Sequence, residues 1–119
     1  MSEIQKVAKK VLKDESEGIE LLKDFFDDNF SSAIKKILDI KGKVIVTGVG
    51  KSGHIGKKIS ATLSSTGTPS YFVHPTEASH GDMGMVGSED IIFAISWSGE
   101  TSELSDIIHF SKENNIGLI

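Results

Sequence analysis

The stretch VIVTGVGKSG at residues 44–53 constrains the fold of this chain more than any other part of its sequence. Its first six residues form an apolar run of strand length, which is typical of a strand covered on both faces. A glycine-rich turn follows, and Ile55, Ile59 and Leu63 then lie four residues apart, as on one face of a helix. The stretch therefore predicts a buried strand, a tight turn and a helix in succession.

The alternation of strand and helix continues along the chain. Further strands are predicted at 70–74, 90–96 and 116–119, and the sequence SGETSELSDIIHFSKENN after the third strand predicts another helix. Short turns between such elements favour parallel βαβ units with helices on both faces of one sheet. We therefore expect an α/β fold, a three-layer α/β/α sandwich around a parallel sheet.

The first 42 residues follow a different pattern. Apolar residues recur there at helical spacing in two stretches, with Gly18 as a weak point between them, and Ser31 or Ser32 can cap a second helix. The sequence thus predicts a helical segment at 1–42 and a βα core at 43–119. We expect the helical segment to pack on the sheet or on a partner subunit.

Composition excludes several classes of protein. A net charge of −4 argues against binding to nucleic acid, which requires a clustered basic face. The absence of cysteine excludes disulfides and thiolate metal sites. The N-terminal sequence MSEIQKVAKK carries charges throughout, which predicts that it is not a signal peptide, and apolar runs such as IIFAI are too short to cross a bilayer. We expect a cytoplasmic protein with no nucleic-acid or membrane partner.

The turn after the first strand resembles three kinds of phosphate-binding loop. A Walker A loop requires a glycine where this chain has Ile45. The dinucleotide-binding pattern G-x-G-x-x-G fits residues 48–53, but it also expects an acidic residue at the end of the next strand, which here ends in Val73 and His74. A nucleotide-dependent oxidoreductase is therefore the least favoured hypothesis.

The third interpretation is a simpler anion site. Gly50, Lys51 and Ser52 stand at the start of a helix, where free backbone N–H groups and the helix dipole favour negative charge. The alternative is that the glycines only shape a tight turn between strand and helix.

The second loop, SWSGETS at 96–102, favours a ligand. It carries four hydroxyls and one glycine that permits close backbone approach. A helix cap needs one hydroxyl only, so we expect the others to serve a phosphate group, which offers several acceptor oxygens. The ends of parallel strands meet at one edge of a sheet, and ligands bind there.

These motifs together resemble a known family. The stretch TGVGKSGHIGKKISATLSSTGTPSYFVHPTEASHGDMGMV, followed by AISWSGETSE, resembles the sugar isomerase (SIS) domain of arabinose-5-phosphate isomerases, from about residue 5 to the end. The resemblance implies a flavodoxin-like sheet and interconversion of ribulose 5-phosphate and arabinose 5-phosphate through a cis-enediol, feeding 3-deoxy-manno-octulosonate synthesis for lipopolysaccharide or capsule. It also implies a homo-oligomer whose sites are completed by neighbouring chains.

The resemblance places Lys51, Glu103 and His80 in the site, near the sugar. The chemistry of their side chains suggests that Lys51 polarises the carbonyl or pairs with the phosphate, that Glu103 is a base or proton relay, and that His80 assists ring opening or shuttles a proton. The alternatives are a solvated lysine and a first-turn glutamate that interacts favourably with the helix dipole. The residues implied to bind the sugar phosphate are Gly50, Ser52, Ser96, Trp97, Ser98, Gly99 and Thr101. No cofactor and no required metal are expected, because the histidines and acids of the loop after the second strand have no strong ligand spacing.

Two departures from the family pattern bear on function. Trp97 stands where the family usually has a small polar residue, so its indole is expected to shield the ligand or to narrow the pocket. The family domain also continues through a further strand and helices that supply a second glutamate and a histidine, and two cystathionine-β-synthase-type modules usually follow. The alternatives for this chain are therefore an isomerase and a non-catalytic sugar-phosphate binding module or inactive fragment.

Overall fold

The computed structural model describes residues 1–119, which form two compact units, Met1–Lys35 and Lys36–Ile119. The first unit begins with helix α1, Glu3–Leu21, and continues through a 3-10 turn at Leu22–Phe25. Helix α2, Asp28–Leu38, starts in the first unit and ends in the second. None of the helices combines the length and the apolar composition that crossing a bilayer would require.

The N-terminal helices differ from the sequence-based expectation in two details. Helix α1 runs through Gly18 without a break, since a glycine in an exposed helix costs only about 1 kcal/mol. Helix α2 is capped by Asp27 rather than by Ser31 or Ser32, because the Phe30 N–H donates to the Asp27 carboxylate at 2.9 Å. That hydrogen bond holds the pKa of Asp27 below its usual value.

The second unit is built on four parallel strands: β1 Val44–Gly48, β2 Ser70–Phe72, β3 Ile91–Ile95 and β4 Gly117–Leu118. Their order in the sheet is β2-β1-β3-β4, with β1 paired to both β2 and β3. All five residues of β1 are buried, which agrees with its unbroken apolar sequence. The predicted strands are all present, although each is shorter than its predicted range.

Helices cover both faces of this sheet. Helix α3, Gly50–Ser65, follows β1 and packs on the face that carries Val44 and Val46. The opposite face, which carries Ile45 and Ile92, is covered by helix α4, Pro75–Ser79, and helix α5, Ser105–Glu113. The predicted α/β/α sandwich is confirmed.

Helix α4 lies in a region predicted to be a loop with one helical turn near its end. That turn is present as a 3-10 helix at Asp82–Met85, and α4 precedes it. Pro75 occupies the first position of α4, where its missing N–H costs nothing, and the His74 ring accepts a hydrogen bond from the Thr76 N–H at 3.2 Å. Five residues are too few to show a helical period in the sequence, so only the His-Pro pair signals this helix.

Candidate functional site

The candidate site lies at the carboxyl edge of the sheet, between β1 and β3. These strands are neighbours and parallel, and Gly48 at the end of β1 pairs with Ile95 at the end of β3. The chain leaves β1 through α3 on one face and leaves β3 through α5 on the other face. Connections that diverge in this way open a crevice at the strand ends, which is where open α/β sheets bind ligands.

Glycines allow the first loop to turn sharply. Gly50 has a φ of +57°, a left-handed conformation that disfavours residues with a side chain. A Cβ built on Gly53 would lie 2.7 Å from the Gly48 carbonyl oxygen, so α3 can start this close to β1 only with glycine there. The pattern at 48–53 therefore has a packing role, whatever it binds.

The N-terminus of α3 has no side-chain cap. Its first intrahelical hydrogen bond runs from the Gly53 N–H to the Val49 carbonyl oxygen at 3.2 Å. The N–H groups of Gly50, Lys51 and Ser52 consequently lack an intrahelical acceptor. These amides, together with the dipole of a 16-residue helix, give this end of the crevice a positive potential.

The Lys51 and Ser52 side chains are available to a ligand. Lys51 is exposed and takes part in no ion pair, and Ser52 is half-buried and engaged in no hydrogen bond within the chain. An ammonium group and a hydroxyl at a bare helix start are suitable partners for a phosphate or a carboxylate.

The second loop is held in shape by its own hydroxyls. The Ser96 and Thr101 hydroxyls are 2.6 Å apart and hydrogen-bonded, and the Gly99 N–H donates to Ser96 Oγ at 3.0 Å. The Glu100 N–H donates to Ser98 Oγ at 3.1 Å. The expectation that hydroxyls beyond a single cap have no structural role is therefore wrong, because they stabilise the turn.

The braced loop still has donors to offer. Ser98 Oγ acts as an acceptor in its bond with the Glu100 N–H, so its own proton is unused. The helical region that follows begins with a 3-10 turn at Ser102–Leu104, whose N-cap residue Thr101 makes no side-chain capping bond. The second strand end thus also leads into an uncapped helical start.

Trp97 does not fill the crevice. Its side chain is 101% exposed, so the indole projects into solvent from the loop. The crevice is therefore open to a ligand on this side, and any shielding role of Trp97 requires the indole to contact something that is added from outside the chain.

Glu103 and His80 lie on the α4–α5 side of the sheet. Glu103 belongs to the 3-10 turn against which α4 packs, and its carboxylate accepts a hydrogen bond from the Ser102 hydroxyl at 3.2 Å. His80 is the C-terminal capping residue of α4, and both side chains are exposed. Ser79, next to His80, donates to the Asp106 carboxylate of α5 at 2.7 Å and ties this segment down.

The structure brings together no group of three or more His, Cys, Asp or Glu side chains able to hold a metal ion. It also buries one hydroxyl that the sequence motifs do not single out. The Thr47 hydroxyl, next to the end of β1, is fully buried and has no hydrogen-bond partner. The sequence signal for this buried hydroxyl is a threonine inside an otherwise apolar strand.

Comparison with known families assigns this architecture. The profile of the SIS domain matches residues 36–119, which is most of the chain and all of its sheet. The chain belongs to the SIS domain family. The SIS match begins one residue after the end of the first compact unit.

Named relatives of this SIS-domain chain are arabinose 5-phosphate isomerases. It is 50% identical over 117 residues to the arabinose 5-phosphate isomerase KdsD of Shigella flexneri and to that of Escherichia coli strain K12. The aligned region is 98% of this chain but only 36% of each relative. The chain thus spans about a third of the length of these relatives.

Solved structures agree with this assignment. An Escherichia coli CFT073 protein, c3406, in complex with arabinose 5-phosphate superposes with a TM-score of 0.89 at 41% identity, covering 99% of this chain and 64% of that one. A Listeria monocytogenes protein named as a sugar-phosphate isomerase superposes with a TM-score of 0.91 at 29% identity, covering 99% and 63%. The SIS-domain fold of this chain is therefore shared with sugar-phosphate isomerases.

Proposed function

We propose that this SIS-domain chain carries the phosphosugar-binding part of an isomerase that interconverts ribulose 5-phosphate and arabinose 5-phosphate. The observation that carries the proposal is the pair of uncapped helical starts at the switch point, one after β1 and one after β3. Half of the residues aligned with the KdsD isomerases are identical, which supports the same substrate class.

The phosphate group of the substrate is assigned to the second loop. Ser98 donates its free hydroxyl proton to a phosphate oxygen, and the Ser96–Thr101 pair keeps the turn in shape for it. Gly99, with a φ of +73°, leaves the backbone of this turn open to close approach. A dianionic phosphate thereby gains a hydrogen bond from Ser98, a donor that the loop already holds in position.

The sugar carbons then extend toward the groups that move protons. In the aldose, Glu103 removes the proton from C2, the C2–H electrons form the C1–C2 double bond, and the carbonyl oxygen O1 takes up a proton. Glu103 then returns its proton to C1 of the cis-enediol, the O2 hydroxyl loses a proton, and the C2 carbonyl of the ketose forms. Lys51 stabilises the negative charge on the oxygen, and His80 assists opening of the sugar ring.

We assign no redox cofactor to this reaction, because an aldose–ketose isomerisation passes no electrons to an external acceptor. We also propose that the protein is a cytoplasmic homo-oligomer that supplies the precursor of lipopolysaccharide or capsule sugars. Side chains that are more than half exposed on the N-terminal helices support a partner subunit over residues 1–42. They include Val7, Phe25 and Phe26.

A non-catalytic sugar-phosphate binding module is the second candidate. It is favoured by the exposure of Lys51, Glu103 and His80, none of which is held by a charged partner. A chain that spans 36% of the KdsD relatives fits either candidate.

Two measurements separate these candidates. Calorimetric titration with arabinose 5-phosphate tests the shared binding step, and we expect saturable binding that arabinose without phosphate does not show. Exchange of the C2 proton of arabinose 5-phosphate in heavy water, followed by proton NMR, tests the chemistry.

We expect Glu103→Gln to abolish this proton exchange and to leave arabinose 5-phosphate binding intact. Binding without exchange in the unmodified chain would favour the module. Equal binding of arabinose and its phosphate would contradict the whole proposal.

A further inference from the structure

A second concave surface lies beside the first half of α3, away from the second loop. Its volume is about 280 Å³, near the small end of the range of ligand-binding pockets, roughly 300 Å³. It is lined by Gly50, Gly53, His54, Lys57, Phe72 and His74. Only Gly50 is shared with the residues assigned to the sugar phosphate.

The sequence of α3 produces this cavity. Gly50, Gly53, His54 and Lys57 follow one another at spacings of three, one and three, so they share one face of the helix. Phe72 of β2 forms the floor, and its ring lies 3.5 Å from the point where a Cβ on Gly53 would stand. At Gly50 an added Cβ would meet nothing within 4 Å, so this glycine leaves open space that a larger residue would fill.

All titratable side chains that line the cavity are basic. They are His54, Lys57 and His74, in a chain whose net charge is −4. The Lys57 ammonium lies 5.4 Å from the centroid of the Phe72 ring and forms no salt bridge with a carboxylate. An ammonium group that lies over an aromatic face still has N–H donors free to bind a ligand.

The two histidines add further donors. His74 Nδ1 accepts the hydrogen bond from the Thr76 N–H, which leaves Nε2 as the protonated nitrogen of the neutral ring. His54 makes no hydrogen bond within the chain, and both rings are exposed to solvent. The cavity thus combines several donors, no carboxylate and one apolar floor.

We propose that this cavity is a second anion site, which binds the phosphate group of a small molecule with Lys57, His54 and His74. The apolar floor formed by Phe72 accommodates the carbon part of such a molecule. Because the cavity shares Gly50 with the first loop, an occupied cavity lies next to the substrate crevice.

Proton NMR of the four histidine rings, with inorganic phosphate as the probe, tests this site directly. We expect the ring signals of His54 and His74 to shift in a saturable manner as phosphate is added. His109 serves as an internal reference, since its ring contacts Glu113 on α5 at 3.0 Å and is outside the cavity. Absence of a shift at His54 and His74 in tens of millimolar phosphate would overturn the proposal.

A matched pair of lysine variants sharpens the test. Lys57→Gln removes a charged partner of the anion, and we expect phosphate to bind about tenfold more weakly at His54 and His74. Lys58→Gln removes the same charge from the next position of α3, which does not line the cavity, and we expect no change. Equal weakening by both variants would show diffuse attraction to the surface and would overturn the proposal.

A variant of the second loop separates this inference from the proposed function. Ser98→Ala is expected to weaken binding of arabinose 5-phosphate and to leave the phosphate-dependent shifts of His54 and His74 unchanged. Loss of those shifts in Ser98→Ala would place the phosphate response in the substrate crevice and would overturn the second site. Weak sugar-phosphate binding with intact shifts in the unmodified chain would count against the proposed function alone.

Discussion

The loops after β1 and β3 meet at the same crevice but are built in different ways. The first loop, 49–52, depends on its backbone, because it has a left-handed glycine, a close approach of α3 to β1 and amides without acceptors. The second loop, 96–102, depends on side chains, because its hydroxyls bond to each other and to its own amides. Substitutions that add a side chain should therefore disrupt the first loop most, whereas substitutions that remove a hydroxyl should disrupt the second loop most.

Gly53→Ala should produce the largest effect, since the added Cβ would lie 2.7 Å from the Gly48 carbonyl oxygen. We expect it to lower the free energy of unfolding by about 3 kcal/mol, as measured by urea denaturation. Gly18→Ala is the control, because a Cβ there meets nothing within 4 Å and should stabilise α1 by about 0.5–1 kcal/mol. Equal effects of the two variants would show that the close approach of α3 to β1 is unimportant.

Lys51→Met tests the charge at the first loop. The side chain is exposed and free of ion pairs, so the free energy of unfolding should change by less than about 0.5 kcal/mol. Binding of arabinose 5-phosphate should weaken by about 2 kcal/mol, measured by calorimetry, since the hydrogen bond from the charged Lys51 ammonium to the carbonyl oxygen of the sugar is lost. Unchanged affinity would remove Lys51 from the site.

Ser98→Ala tests the side-chain donors of the second loop. We expect it to weaken binding of arabinose 5-phosphate by about 1–2 kcal/mol, because the donor to phosphate is lost. Ser96→Ala is the informative companion, since it also removes the partner of Thr101 and the acceptor of the Gly99 N–H. If the second loop is braced as described, Ser96→Ala lowers stability as well as affinity, and Ser98→Ala lowers mainly affinity.

Trp97→Ala should have the smallest effect on folding. A side chain that is 101% exposed contributes no burial, so the free energy of unfolding should change by less than about 0.5 kcal/mol. Thermal unfolding of the two chains checks this expectation. A marked loss of stability would mean that the indole packs on the loop in solution, and the crevice would then be narrower than described.

The sheet was largely predictable from the sequence, because its two central strands are apolar runs bounded by turn residues. Thus β1 and β3 follow from VIVTG and IIFAI, and the long helix α3 follows from its apolar spacing. Helix α4 was not predicted, because five residues are too few to show the helical spacing of apolar positions. The cap of α2 was misplaced because Asp27, four residues ahead of Ser31, reaches the free amide first.

The candidate site was predictable in its location and less so in its bonding. Glycines and hydroxyls after two apolar runs mark the two loops in the sequence. Which hydroxyl bonds to which amide depends on the left-handed turn at Gly99, and the exposure of Trp97 depends on the direction in which that turn projects. The crevice itself requires the strand order β2-β1-β3-β4, which a sequence does not reveal.

The hydroxyl donors of the second loop, which is assigned the phosphate, have a consequence for the pH range over which a phosphate ester is retained. Serine and threonine hydroxyls neither gain nor lose a proton between mildly acidic and mildly alkaline solution, so their contribution to holding an anion is constant there. Any change in affinity contributed by this part of the crevice then follows the ligand, whose second ionisation lies near pH 6. The pH dependence of the affinity contributed by this end of the crevice should therefore follow the second ionisation of the phosphate ester.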